Sequence, residues 1–122
     1  EGKSNKRIKE QGEQLRQAAK DNNAATARQI LSSSSNKAAV VNETDGDGRT
    51  ALHFCAGNDS VAVAQVLVEQ GADSEARTKA GYTALHFCAA NDSVAVAQVL
   101  VEQGADIEAR TKDNDTPLTL GA

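Results

Sequence analysis

An all-α repeat solenoid of stacked helix–turn–helix units with protruding hairpin loops is the fold this sequence predicts. Three observations predict it. Residues 51–79 (ALHFCAGNDSVAVAQVLVEQGADSEARTK) and 84–112 (ALHFCAANDSVAVAQVLVEQGADIEARTK) lie 33 residues apart and differ at only two positions, Gly57/Ala90 and Ser74/Ile107. Self-similarity at a fixed period of about 20–50 residues marks a stacked-repeat architecture. Within one copy, two short apolar runs are separated by a polar break, so neither run can bury its face without a neighbouring unit. Composition agrees: the chain is 39% hydrophobic but only 2% aromatic, with no Trp or Met. Its core must rest on Ala, Val and Leu, which suit helices that approach closely.

Taken in order, residues 1–11 form a polar, basic extension whose composition is compatible with prolonging the following helix. Residues 12–44 form a first unit. There Leu15, Ala18, Ala19, Ile30 and Leu31 take core positions, while Arg16, Gln17 and Arg28 keep the outer side wet, as an end unit requires. A long loop, SSSSNKAAV, follows. Residues 45–77 form the second unit. Thr50 caps a helix through Leu52, Phe54, Cys55 and Ala56. Asn58-Asp59-Ser60 ends it, and Asp59 or Ser60 caps the next helix, Val61–Val68. Val favours strands, but this run continues through Glu69 and Gln70 to Gly71, a helix-ending glycine. Residues 72–81 are polar and turn-rich, suited to a hairpin. Residues 78–110 repeat the unit. Residues 111–122 begin another, whose second helix would cover the stack but is missing, leaving Leu118 and Leu120 exposed.

These segments resemble ankyrin repeats. TALHFCA at residues 50–56 and 83–89 is similar to that family's T-P-L-H-x-A signature, and the period matches. DGDGRTALHFCA and VEQGADIEARTK are similar to its hairpin and second-helix-to-loop segments, and residues 12–31 resemble an N-terminal cap. SSSSNKAAV departs from the family's short loop, Thr119 stands in place of its histidine, and Gly121 stands where a larger residue is usual. VNETDGDGRTAL and VEQGADIE also resemble plant plastid-targeting ankyrin proteins, which would imply a plastid location.

The duplicated His-x-Cys invites a chemical reading. Zinc takes both ligands, but residues two apart on a helix point about 200° from each other, so one pair does not converge. A Cys nucleophile with a His base would need an orienting group and an oxyanion hole, and neither is evident. The family resemblance implies instead that His53 and His86 are structural and bond the loop backbone of neighbouring units; Cys55 and Cys88 read as small core residues. Asp45-Gly46-Asp47-Gly48 begins like a calcium loop, but Arg49 and Thr50 follow, and the copies at Lys79-Ala80 and Lys112-Asp113 lack ligands, so a hairpin turn is expected. No cofactor, metal or enzyme activity is expected.

The formal net charge of −4 is uneven: residues 1–20 carry six Lys/Arg against three Asp/Glu, and the remainder seven against fourteen. Nucleic-acid binders carry a basic face, which this acidic body lacks. No apolar run reaches membrane-spanning length, and no signal-peptide pattern is present. The first residue is Glu, so the chain reads as a processed or excised piece. Two cysteines inside predicted helices point to a reducing, intracellular, cytoplasmic setting. The resemblance implies a non-catalytic scaffold holding a protein partner on its concave side of hairpin tips and first helices. Candidate contacts are Asp47, Arg49, Asn58, Arg77, Lys79, Tyr82, Asn91, Arg110, Lys112 and Asp113, with Tyr82 read as an exposed anchor. The near-identity of the copies implies recent duplication or deliberate construction. That alternative leaves a repeat protein without a surviving partner, prone to homo-oligomerise through its uncovered C-terminal end.

Overall fold

Seven helices and no strand occur among the residues that the computed structural model describes, 2–118 with side chains from residue 5 onward. They are α1 (Gly2–Asp21), α2 (Ala24–Ser32), α3 (Lys37–Val41), α4 (Ala51–Asn58), α5 (Val61–Glu69), α6 (Ala84–Asn91) and α7 (Val94–Glu102). The basic N-terminal stretch is helical from Gly2 and continuous with α1. On α1, Leu15, Ala18 and Ala19 fall at i, i+3 and i+4 and are buried. Asn22 turns the chain with φ 52°, and the Asn23 Oδ1 accepts the Thr26 N–H at 3.1 Å to start α2.

The connection read from sequence as a loop contains α3. Its serines end α2: the Ser33 and Ser34 hydroxyls donate to the Ile30 carbonyl at 2.9 and 2.8 Å. Asn36 then caps a new turn, its Oδ1 accepting the Ala39 N–H at 3.2 Å, and Val40 and Val41 bury against α1 and α2. A cap followed by two buried valines is enough to hold a five-residue helix that would not stand alone in water.

α4 lies between α1 and α6, and α5 between α2 and α7, giving a first-helix row and a second-helix row. Leu15, Leu31, Leu52, Leu67 and Leu100 are the large buried side chains shared between them. Each fully buried Leu contributes about 1.5–3 kcal/mol relative to exposure, and intervening alanines let the helices approach. Val61–Glu69 is helical despite its valines, because Val63, Val66 and Leu67 fall on the buried side.

Three fingers protrude beside the first-helix row. Each is closed by an equivalent backbone bond: Asp45 N–H to Arg49 O at 3.0 Å, Thr78 N–H to Tyr82 O at 2.9 Å, and Thr111 N–H to Asp115 O at 2.8 Å. The Lys79 N–H also donates to the Asp47 carbonyl at 3.0 Å, joining the first two fingers. Glycine is required at the crossings. A Cβ on Gly48 would stand 3.0 Å from the Lys79 nitrogen, and one on Gly81 would stand 3.0 Å from the Lys112 nitrogen, both at positive φ.

The expected helix caps divide differently. Ser60 occupies the cap position of α5, but its buried hydroxyl makes no hydrogen bond. Asp59 adopts φ 51° and reaches the following unit, its Oδ1 accepting the Val96 N–H at 3.1 Å. The left-handed turn aims the carboxylate away from its own helix and into the first turn of α7.

Equal sequences acquire unequal burial. Ala64 is fully buried, whereas its copy Ala97 is partly exposed. Val61 and Val68 are half-covered, whereas Val94 and Val101 are 58% and 50% exposed. Leu118 is 83% exposed, as expected from the sequence. Thr119, Leu120 and Gly121 lie outside the described residues.

Candidate functional site

The two histidines occupy matching positions. The Thr50 N–H donates to His53 Nδ1 at 3.0 Å, so the ring proton sits on Nε2, which donates to the Tyr82 carbonyl at 3.0 Å. The Thr83 N–H donates to His86 Nδ1 at 3.0 Å, and His86 Nε2 donates to the Asp115 carbonyl at 3.0 Å. In α6 the His86 N–H returns a bond to Thr83 Oγ1 at 3.4 Å, closing a capping box. Each histidine therefore starts its own helix and grips the next finger. Burial pushes the His53 pKa down, opposed by the bond to the Tyr82 carbonyl. Both ring nitrogens are committed to protein groups, and among the described residues no three His, Cys, Asp or Glu converge as metal ligands.

Cys55 and Cys88 are buried free thiols. Burial pushes Cys55 far up, and it pushes Cys88, helped by the Asp59 charge, up to about 12. A thiolate is the nucleophilic form, so neither environment activates one.

Asp45 is fully engaged within its own turn. Its Oδ1 accepts the Asp47 and Arg49 N–H groups, each at 2.9 Å, and its Oδ2 accepts Arg49 Nε at 2.9 Å. Burial works to raise its pKa, but these bonds and the Arg49 charge outweigh burial and hold it below the ordinary value. The Asp-Gly-Asp-Gly stretch is a turn braced by arginine.

Two concavities meet at Arg49, along the fingers and the first-helix row. One, of about 310 Å³, brings together Asp47, Arg49, Lys79 and Tyr82 from the sequence-derived set, with Ala80 and Phe87. The other, of about 360 Å³, is lined by Glu13, Arg16, Lys20, Asp45, Arg49 and Phe54, among others. Arg49 also pairs with Asp47, Nη2 to Oδ2 at 3.2 Å, and its guanidinium lies 4.9 Å from the centre of the Phe54 ring. Lys20 approaches the same ring at 4.8 Å.

Tyr82 is half-buried rather than fully exposed, which corrects the sequence reading. Its ring stacks near His86 at 5.9 Å and meets Phe87 edge-on at 6.0 Å. The remaining candidates are not gathered into these concavities. Asn58 and Asn91 donate their side-chain amides to the Phe54 and Phe87 carbonyls at 2.8 and 2.9 Å, finishing their own helices. Arg77 spans from the second finger to the third, donating to the Gly81 and Arg110 carbonyls at 3.0 and 2.6 Å. Arg110, Lys112 and Asp113 are exposed on the third finger. Sequence reasoning passed over Phe54, Phe87 and Lys20. The available signal was helical phase: Leu52, Cys55 and Ala56 define an inner face at i, i+3 and i+4, and Phe54 falls off it.

A family model described as ankyrin repeats in three copies matches residues 15–111. A palmitoyltransferase, AKR1, of Yarrowia lipolytica is 39% identical over 70 residues, which are 57% of this chain and 10% of that protein. The chain thus spans about a tenth of the length of this curated relative. A yeast relative lends no support to the plant plastid likeness.

Proposed function

Because the chain belongs to the ankyrin repeat family, whose repeats generally mediate protein–protein interaction, we propose that it is a non-catalytic scaffold holding a protein partner against its fingers and first-helix row. The observation that carries this reading is the pair of concavities meeting at Arg49, with half-buried Phe54, Tyr82 and Phe87 in their walls. Aromatic and arginine side chains in partly desolvated hollows are the usual anchors of binding. Asp47, Arg49, Lys79 and Tyr82 then make central contacts, with Asn58, Arg77, Asn91, Arg110, Lys112 and Asp113 at the margin. The histidines and cysteines serve the stack, divided into an extension (1–11), a capping unit (12–44), two full units (45–77 and 78–110) and a partial one (111–122). The inert, buried thiols suit an intracellular setting.

The test uses the exposed Ala80. Peptide binders selected from a random display library against the chain are expected to be lost on Ala80→Arg, which fills the smaller concavity, while far-UV circular dichroism stays unchanged. Binders that survive Ala80→Arg would place the recognition surface elsewhere.

A second reading, self-association, rests on a different observation. Beside α6 and α7 lies an open groove of about 810 Å³, lined among others by Val94, Ala97, Val101, Ile107 and Leu118. Exposed apolar patches of this kind invite association. Sedimentation equilibrium is expected to show concentration-dependent dimer that Val101→Glu abolishes; a monomer at all concentrations rejects this reading.

Palmitoyl transfer is an activity of the yeast relative as a whole, and no step of it is assigned to this chain.

A further inference from the structure

The charges of the two full units are segregated. Residues 51–76 carry Asp59, Glu69, Asp73 and Glu75 with no Lys or Arg, and residues 84–109 carry Asp92, Glu102, Asp106 and Glu108 with none either. The cations lie on the fingers, but not equally. On the first finger, Arg49 faces two carboxylates, Asp45 at 2.9 Å and Asp47 at 3.2 Å. On the third, Arg110 and Lys112 are followed by Asp113 and Asp115. The second finger alone, residues 77–82, carries two cations, Arg77 and Lys79, and no carboxylate.

Those two charges remain available. Arg77 gives its hydrogen bonds to backbone carbonyls, which leave its charge unneutralised. The ion pairs among the described residues belong to Arg49, so exposed Lys79 faces solvent beside the smaller concavity. Ala80, Tyr82 and Phe87 give that concavity of about 310 Å³ its apolar walls.

We propose that this surface recognises an extended acidic segment, with one aliphatic side chain seated between Ala80, Tyr82 and Phe87 and carboxylates on either side of it drawn to Lys79 and Arg77. In an extended chain, side chains alternate faces at about 3.3 Å per residue. The neighbours of the seated residue therefore point away, and the residues two before and two after return to the surface. The recognised pattern is acidic–x–aliphatic–x–acidic. This inference rests on the binding surface proposed above and adds the charge and spacing of its partner.

The test compares two fluorescein-labelled peptides, one centred on Glu-Ser-Leu-Ser-Glu and the other on Lys-Ser-Leu-Ser-Lys, by anisotropy against the full chain. At low salt the acidic peptide is expected to bind about tenfold more tightly, and the gap should close in 0.5 M salt, where screening shortens the reach of exposed charge. Lys79→Glu leaves the backbone bond to Asp47 intact and should weaken the acidic peptide about fivefold while strengthening the basic one. Ala80→Arg separates the two ideas. Equal binding of both peptides, lost on Ala80→Arg, keeps the surface and overturns the acidic preference. Ala80→Trp fills the same hollow without adding charge, and binding of the acidic peptide indifferent to it overturns both. Failure of the acidic peptide to bind at millimolar concentration overturns the acidic motif, whereas display-selected binders blocked by Ala80→Arg would leave the surface standing.

Discussion

A second proton on His53 would fall on Nδ1, which already accepts the Thr50 N–H. Burial opposes the charge, which holds the folded-state pKa below 6.5, and protonation would also displace the Thr50 N–H from its cap. The unfolded chain then binds more protons than the folded one as pH falls below 6.5. Stability from this residue is full above that value and is lost as pH falls toward the depressed folded-state pKa. The urea midpoint should drop between pH 7.5 and pH 5; a constant midpoint would argue against a buried neutral imidazole. Asp45 contributes separately and lower, with stability present above 3.8 and lost as pH falls below it. His53→Ala should cost about 2–4 kcal/mol, because it removes a helix cap and leaves the Tyr82 carbonyl without its donor. Urea denaturation at pH 7.5 measures this. The histidines' place in the stack was readable from the signature around them, but Tyr82's half-burial was not: its ring packs on His86 and Phe87 of the helix that follows, a contact local pattern does not encode.

At the scale of elements, Leu67→Ala and Leu100→Ala should each cost about 2–5 kcal/mol, since both side chains are fully buried. A cost below about 1 kcal/mol at both would contradict their burial. A sharper comparison uses identical sequence in unequal surroundings. Ala64→Leu should cost about 1–3 kcal/mol through overpacking, whereas Ala97→Leu should be near neutral because α7 is open on that side. Equal urea midpoints for the two variants would mean the burial difference is not present in solution. The helices of both full units were legible because Thr50 and Thr83 start the first of each, Asn58-Asp59 and Asn91-Asp92 break it, and Gly71 and Gly104 close the second. α3 was not, because the serines preceding it read as loop while they in fact close α2. Of the two cap candidates for α5, Ser60 takes the position, while the Asp59 carboxylate serves α7, which sequence proximity does not show.

Across the whole molecule, unit contacts unit through both helix rows and through the fingers, so no full unit has a private core. Urea unfolding should be a single transition, and hydrogen exchange should give the buried amides of α4 and α7 similar opening free energies. Separate transitions would mean that the interfaces are weaker than the burial implies. The architecture was legible because the duplicated segment fixes the period, and period fixes stacking. The surface was only partly legible. Sequence named Asp47, Arg49, Lys79 and Tyr82, which do converge, but it missed Phe54 and Phe87, which line the same hollows from the helix row.

The grip of each histidine on the following finger has a direction. His53 waits for a carbonyl 29 residues downstream, and His86 does likewise. During synthesis at about 5–20 residues per second, a newly emerged unit would hold an unanswered donor for about 1.5–6 s until its acceptor, 29 residues later, leaves the ribosome. The stack is thus vectorial: completion of each layer is deferred to the next, and maturation trails translation by one period.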